Sequence, residues 1–403
     1  MLLKIFLIAS FNIIISHAES NYCSLPKDIK GIDSSQTECS NIKISSNCSF
    51  SCRPGYTEPT ATLTCQLNSK KNPTWSNETK CIEQSCINSN FTTNSSVLKF
   101  PVYAKFYLSS IRAEVNLAIM FISFDVDKRL PQYSISLIDK LNSIKDIERE
   151  EDGFLQHPCK ELNNKQTSSS YYTNSGFDRG HLTPFNLMRF AKKAARSSNL
   201  LVNIAPQDPY TNRAPWKELE GKVGKFLGNY FGVVVTGVCN ELNKHERIDN
   251  LNIPVCFWKL VCFKEGTKTN VFGFMHENSL VNTSEAKLSR SNEVAKLRTF
   301  KFIKDKNGLL NWNGVWKEAE YLMQSKQVGF GKSGFYAGVE YPKWSECANA
   351  GDFSKEFEKK WAGFDGVGEK SGRTTSQRST RSYNSGRKRT KVSVDDEEDL
   401  VWI

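Results

Sequence analysis

The chain has 403 residues, enough for more than one domain and a sizeable core. A formal net charge of +11 and an isoelectric point near 9.0 suit a polyanionic partner and count against an acidic one. Twelve cysteines, an even number, fit a disulfide-bonded protein and count against a reducing compartment.

At the amino terminus, Lys4 precedes the mostly apolar run Ile5 to Ile15, and the small residues Ser16 and Ala18 follow. Residues 1–18 therefore read as a secretory signal peptide cut after Ala18, since the run is too short for a typical membrane span. No later stretch is apolar enough to cross a bilayer, so the mature protein is expected to be secreted, with no membrane association.

Seven cysteines fall between Cys23 and Cys86. Within residues 19–85 the order Cys23-Ser24-Leu25-Pro26, Cys52-Arg53-Pro54-Gly55-Tyr56, Cys65, and Trp75 before Cys81 resembles a sushi, or complement-control-protein, module. Such modules are small β domains whose scant core is held by two disulfides and a tryptophan. The resemblance implies the pairs Cys23–Cys65 and Cys52–Cys81, and a protein or glycan partner. Cys39 and Cys48 are extra to that pattern and can pair with one another. Asn47, Asn77, Asn90, Asn94 and Asn282 each open an Asn-x-Ser/Thr sequon, in keeping with a glycoprotein.

Residues 86–97, rich in Asn, Ser and Thr, read as a linker. A larger domain over 98–360 follows, with buried strands expected at Ala118 to Phe124, Gly232 to Val238, Val255 to Phe263 and Asn270 to Phe274. Helices are expected over Pro215 to Leu227, Ser284 to Arg298 and Trp316 to Ser325. Strands outnumber helices, which gives an α+β domain around an antiparallel sheet with flanking helices.

The chemistry is concentrated in three blocks of this domain. The first is Ser175-Gly176-Phe177-Asp178-Arg179-Gly180-His181-Leu182-Thr183-Pro184. An imidazole titrating near pH ~6.5 is suited to act as a general base. A guanidinium offers two phosphate oxygens a rigid fork, and the glycine between them leaves room for a polyanion to approach the backbone. Taken alone, Asp178-Arg179 suits a surface ion pair equally well.

The second block, Leu201-Val202-Asn203-Ile204-Ala205-Pro206-Gln207, reads as a short apolar strand ended by Pro206. The third, Asn212-Arg213-Ala214-Pro215-Trp216-Lys217-Glu218-Leu219-Glu220, reads as a helix start with Pro215 in the first turn and Asn212 just before it. Asn212 and Glu220 lie about two turns apart, so an amide oxygen and a carboxylate can project to one side.

Together the blocks resemble the DNA/RNA non-specific endonucleases, the ββα-metal nucleases. The family pattern is Asp-Arg-Gly-His, then Ser/Val-Asn-x-x-Pro-Gln, then Asn-x-x-x-Trp-x-x-Leu-Glu. Weaker matches continue in Val234 to Val238, Ile253-Pro254-Val255 with Trp258-Lys259, and Phe272-Gly273-Phe274, so the resemblance covers about residues 100 to 345. It implies His181 as the general base toward water and Asn212 as the direct protein ligand of a hydrated Mg²⁺, with Mn²⁺ as the alternative ion. It implies further that Glu220 holds a water of that ion, that Asn203 orients groups around the site, and that Arg179 neutralises the phosphate. Arg213 is a candidate second nucleic-acid contact. The family's upstream phosphate-clamping arginine has no clear counterpart in Asp127-Lys128-Arg129-Leu130-Pro131-Gln132-Tyr133 or near Lys140.

Residues 361–403 change character. Ser/Thr/Arg-rich sequence, the basic cluster Arg387-Lys388-Arg389 and the acidic run Asp395 to Asp399 read as a disordered charged tail. The whole is expected to be a secreted, sugar-non-specific endonuclease acting on DNA and RNA, or else a catalytically weak or inactive nucleic-acid-binding decoy whose main contact is the sushi module.

Overall fold

A computed structural model of the chain describes residues 21–24, 30–33, 39–57, 62–76, 80–87, 96–108, 113–138, 153–239, 247–248, 251–278, 298–299, 315, 317–322, 324, 341–343, 346–347 and 350–352. The expected signal peptide, most of the linker, the helix expected over Ser284 to Arg298 except its last residue, which is in a strand, and the charged tail lie outside these residues. The chain forms two compact units, Met1–Ile82 and Glu83–Ile403. No described helix is long and apolar enough to cross a membrane.

The first unit is a set of short strands. Leu63–Leu67 pairs on one side with Asn47–Cys48 and on the other with Pro73–Trp75, while Tyr22–Cys23 pairs with Ile42–Lys43. Its core amounts to Leu63, Cys39 and Cys48 with Ile42, Phe50 and Trp75 packed against them. So small an apolar cluster needs covalent closure. The disulfides Cys23–Cys65 and Cys52–Cys81 supply it, and Cys39–Cys48 adds a third bridge. Trp75 is half-buried rather than buried, with its indole N–H donating to the Ser24 carbonyl at 2.8 Å.

The second unit is built in chain order from β1 (Val97–Leu108), β2 (Ala113–Asp125), β3 (Leu130–Ile138), β4 (Asp178–His181), α1 (Lys192–Ser198), β5 (Ile204–Gln207), α2 (Pro209–Thr211), a π turn (Asn212–Trp216), α3 (Lys217–Leu227), β6 (Phe231–Val238), β7 (Cys256–Glu265) and β8 (Lys268–Glu277). The main sheet runs β8-β7-β6-β3-β2-β1 with every one of these neighbours antiparallel. Arg298–Thr299 pairs antiparallel with β8, and Gly351–Asp352 pairs parallel with it. At the edge, the Gln84 side chain donates to Tyr103 O at 3.0 Å and accepts from Tyr103 N at 3.1 Å, occupying a rung of β1 that no strand fills.

The expected strands fall in β2, β6, β7 and β8, with Val255 alone lying one residue before β7. From Leu117 to Val126 every residue of and beside β2 is buried, which explains why the sequence there is continuously apolar rather than alternating: both faces of the sheet are covered. One face packs Phe121, Ile135, Val235, Trp258 and Leu260 against Val315, Ala319 and Leu322, the i, i+4, i+7 stripe of the carboxyl-terminal helix. Of the helix expected over Trp316 to Ser325, residues 317–322 and 324 are helical, as is residue 315 just before it. The opposite face carries all three sequence blocks. There Met120, Ile122 and Phe124 pack with Met188, Ala194, Leu200 and Val202, and Val234, Phe257 and Val261 pack with Leu182, Trp216, Leu219 and Val223. Three disulfides, Cys86–Cys159, Cys239–Cys256 and Cys262–Cys347, complete the unit.

Candidate active site

β4 is the Asp-Arg-Gly-His block itself, and it forms a two-stranded antiparallel ribbon with β5. The partners are Asp178 with Gln207, Arg179 with Pro206, Gly180 with Ala205, and His181 with Ile204. Two expectations change here. Leu201–Asn203 is a 3-10 turn, and the strand runs through Pro206 instead of ending at it. Each strand of a two-stranded ribbon is an edge, so the missing proline N–H breaks no ladder. Gly180 also has a nearer cause than approach of a polyanion. A Cβ at this position would sit 2.5 Å from Gln207 Oε1 and 2.6 Å from Gln207 Cβ, so the space is filled by the neighbouring strand's side chain.

His181 is buried, and its Nε2 lies 2.9 Å from Asn199 Oδ1. An amide oxygen only accepts, so Nε2 carries the proton and the lone pair falls on Nδ1, the tautomer a general base requires. Asn199 is the residue that ends α1, and its backbone is fixed to Leu155, whose N–H donates to Asn199 O at 3.2 Å. The Phe154 ring lies 5.5 Å from the imidazole, centroid to centroid.

Asn203 is fully buried and acts on the backbone that follows His181. Its Nδ2 donates to Thr183 O and Ser198 O at 2.8 Å each, and its Oδ1 accepts from Thr183 N at 3.0 Å. Thr183 is anchored in turn to the central sheet through a 2.6 Å hydroxyl contact with Ser134 of β3. Asn203 thus ties together the main chain at Thr183 and Ser198.

The helix that carries Asn212 begins earlier than expected. Asp208 caps it, accepting from Thr211 N at 3.0 Å, and Pro209 takes the first position. Asn212 therefore has helical dihedrals inside the run and does not precede it. Pro215 is likewise internal. It sits within the π turn Asn212–Trp216, whose widened hydrogen-bonding pattern tolerates a residue with no N–H. The turn also sets the phase of the site. Eight ideal α-helical steps rotate through about 800°, roughly 80° past two full turns. A π turn rotates less per residue and so brings Glu220 back toward the side of Asn212.

Asp178 joins ribbon to helix. Its Oδ2 accepts from Asn212 Nδ2 at 2.9 Å, and its two oxygens accept from Arg213 Nε and Nη2 at 2.8 and 2.6 Å. The ion pair of Asp178 is therefore made with Arg213 rather than with Arg179, and Arg213, expected at the nucleic acid, is held as the carboxylate's partner. With Nδ2 engaged, the atom Asn212 has for a cation is its amide oxygen. At the base of the same helix, Asn278 accepts from Asp208 N at 2.7 Å and donates to Pro206 O and Pro254 O at 3.0 and 2.8 Å.

Glu220, in α3, is buried beside the equally buried Lys259 of β7, with Nζ 3.3 Å from Oε1. Burial pushes the Glu220 carboxyl up to about 7, against the pull of the Lys259 charge. Burial pushes the Lys259 ammonium down. No aligned hydrogen-bond donor reaches Glu220 Oε1, so this oxygen keeps acceptor capacity. An amide oxygen and an underused carboxylate oxygen are hard donors suited to a hydrated divalent ion.

The guanidinium of Arg179 stacks 5.1 Å from the Phe154 ring and 5.9 Å from that of Tyr172, which holds its plane. Upstream, Lys128 faces Asp125 at 3.7 Å, and Lys140 lies outside the described residues. His157 and His276 are buried, and the Cys86–His157–Cys159 cluster is closed by its disulfide. Sequence reasoning missed Asn199 and Asn278, and it matched Lys259 only within the weaker Trp258-Lys259 motif, without a role. Each is brought in by the fold from outside the three blocks.

The family model described as DNA/RNA non-specific endonuclease matches residues 101–324, more than half of the chain. The chain belongs to that family. Among curated proteins it is similar to human mitochondrial nuclease EXOG, 32% identical over 102 residues covering 25% of this chain and 27% of that protein. It is also similar to human mitochondrial endonuclease G, 36% identical over 70 residues covering 17% of this chain and 24% of that protein. A nuclease of Nostoc is 28% identical over 97 residues, covering 24% of this chain and 35% of its own length. The matches thus span a quarter to a third of these relatives. A chain of a solved EndoG/EndoGI complex aligns with a TM-score of 0.36 and 20% identity, covering 41% of this chain and 74% of its own. The family match ends short of the limit near residue 345 expected from the motifs.

Proposed function

We propose that the protein is an endonuclease that hydrolyses phosphodiester bonds of DNA and RNA with a divalent metal, Mg²⁺ or alternatively Mn²⁺, and without reading base sequence. The observation that carries this reading is Asp178. It lies three residues before the general base in β4 and fixes the amide of Asn212 on the facing helix, so base and metal ligand are set by one strand. A protein that only bound nucleic acid has no chemical use for that coupling.

In this reading the Asn212 amide oxygen and the Glu220 carboxylate would hold a hydrated divalent ion, which when bound would supply Lewis-acid stabilisation of charge on the phosphate. His181 Nδ1 accepts a proton from water as the water oxygen bonds to phosphorus, the opposite P–O ester bond breaks, and the departing sugar oxygen takes a proton from solvent water. Asn199 holds the resulting imidazolium through Nε2–H. Arg179, braced by Phe154 and Tyr172, faces the phosphate as a fixed cation. The net charge of +11 supports a sequence-independent, salt-sensitive encounter with the polyanion.

Secretion is part of the same proposal. The pairing of all twelve cysteines supports an oxidising compartment. The Cys23–Cys65 and Cys52–Cys81 pairs support a sushi-type module that tethers the enzyme to a protein or glycan.

The test is incubation of supercoiled plasmid and of RNA with purified protein in Mg²⁺, in chelator, and with His181→Ala. Cleavage of both substrates by the wild type in Mg²⁺ alone, with retained binding by the variant, is expected. A wild-type protein that shifts DNA in a gel yet leaves both substrates intact in Mg²⁺ overturns the reading.

A further inference from the structure

Lys259 is 2% exposed and lies on β7, outside the three sequence blocks. Taking an ammonium out of water costs several kcal/mol, and lysine is almost never fully buried unless paired. Three contacts fix this one. Its Nζ donates to Thr236 Oγ1 at 2.6 Å, across the ladder from its own strand. It stands 5.4 Å from the centroid of the Trp216 ring, and 3.3 Å from Glu220 Oε1. Trp216 closes the π turn that begins at Asn212, and Glu220 follows four residues later. One cation therefore touches both the frame of the metal-ligand helix and its carboxylate.

Packing alone does not require a charge here. A methionine would fill similar volume without the desolvation cost, and buried ion pairs are often no more stable than apolar replacements. The second observation is the asymmetry of the pair. Lys259 is satisfied by Thr236 and by the ring face, while Glu220 Oε1 has the ammonium beside it and no aligned donor. The lysine thus balances the carboxylate's charge without consuming its acceptor capacity, the condition in which a carboxylate can still receive a hydrogen bond from a hydrated ion.

We propose that Lys259 is a positioning residue for the metal site, acting through Glu220 by balancing its charge and fixing its orientation, and so setting the affinity for the divalent ion. The inference rests on the endonuclease reading for its consequence in catalysis, but not for its consequence in metal binding.

The experiment compares wild type, Lys259→Met, Lys259→Arg, Glu220→Gln and the Lys259→Met/Glu220→Gln double variant. Mn²⁺ binding to the metal-free protein is followed by the EPR signal of the free ion. Thermal unfolding monitors the fold, and plasmid cleavage gives kcat and KM. Lys259→Met is expected to weaken Mn²⁺ binding by roughly 10- to 100-fold, the usual cost of losing an outer-sphere partner of a metal site. KM for DNA should hold, and Lys259→Arg should recover most of the loss. In the double variant the two losses should not multiply, because Lys259 acts through the residue already removed. Wild-type Mn²⁺ affinity in folded Lys259→Met, or fully multiplicative losses in the double variant, overturns the proposal. Should Lys259→Met not fold, Lys259→Gln, which keeps a donor for Thr236 without the charge, takes its place under the same two comparisons. A wild type that binds Mn²⁺ but cuts nothing would sink the endonuclease reading and leave this comparison standing.

Discussion

The carboxylate of Asp178 accepts a 2.9 Å hydrogen bond from the amide of Asn212, 34 residues away, and in the proposed reading this contact decides which end of the amide faces a cation. Removing it frees Asn212 to turn its amide and frees Arg213 from its ion pair. Asp178→Ala should therefore raise the Mg²⁺ concentration for half-maximal cleavage by roughly 10- to 100-fold, with binding of DNA in chelator little changed. A metal titration of plasmid cleavage checks it, and an unchanged metal requirement would refute it.

Asn199 sets the tautomer of His181. Asn199→Ala should lower kcat by about 10²-fold, with KM unaltered, because the base then spends most of its time with the proton on the wrong nitrogen or the ring turned. His181→Ala should lower it by about 10²- to 10⁴-fold. Rates measured at saturating metal and DNA separate these effects from binding.

Gly180 is required by Gln207. Gly180→Ala should destabilise the protein by about 1–3 kcal/mol, since the added methyl meets a side chain packed between two strands. Adding Gln207→Ala should return part of the loss. Denaturant unfolding of the three proteins provides the readout, and equal destabilisation with and without Gln207 would show that the contact is not the cause.

His157 is buried against the Phe100 ring, at a centroid distance of 5.3 Å, and burial pushes its imidazole down to about 3 from 6.5. The folded state thus keeps it neutral, while the unfolded chain takes up a proton below about pH 6.5. Its contribution to stability is complete above that value and is lost as pH falls from 6.5 toward 3. His157→Phe should flatten the decline of Tm over this window. A slope as steep as that of the wild type would show that other groups dominate.

The family was legible in the sequence because the candidate site residues sit in compact blocks whose spacing is itself a signal. His181, Asn212 and Glu220 announce themselves by residue type. Their supports do not. Asn199 reaches His181 only once the β4–β5 ribbon folds back, and Lys259 meets Glu220 only across the packing of helix on sheet. The sheet was readable from apolar runs, and its burial on both faces explains why those runs lacked alternation. The helix start was misplaced because Asn212 and Pro215 imitate a cap and first turn. Asp208-Pro209, a few residues earlier, carries the same signal and wins, as the hydrogen bond from Thr211 N shows. The glycine of the first block looked like clearance for substrate and proved to be clearance for Gln207.

The π turn makes the interval between Asn212 and Glu220 an angular setting rather than a length. Losing one residue from Asn212–Trp216 would let the turn relax to ordinary α geometry, in which seven steps of about 100° come within about 20° of two full turns, so Glu220 would keep its side of the helix. Substitutions in this segment are tolerable in principle wherever packing permits. A single insertion is not, because with the following helix held by its core face the added step of about 100° would put Asn212 and Glu220 out of phase.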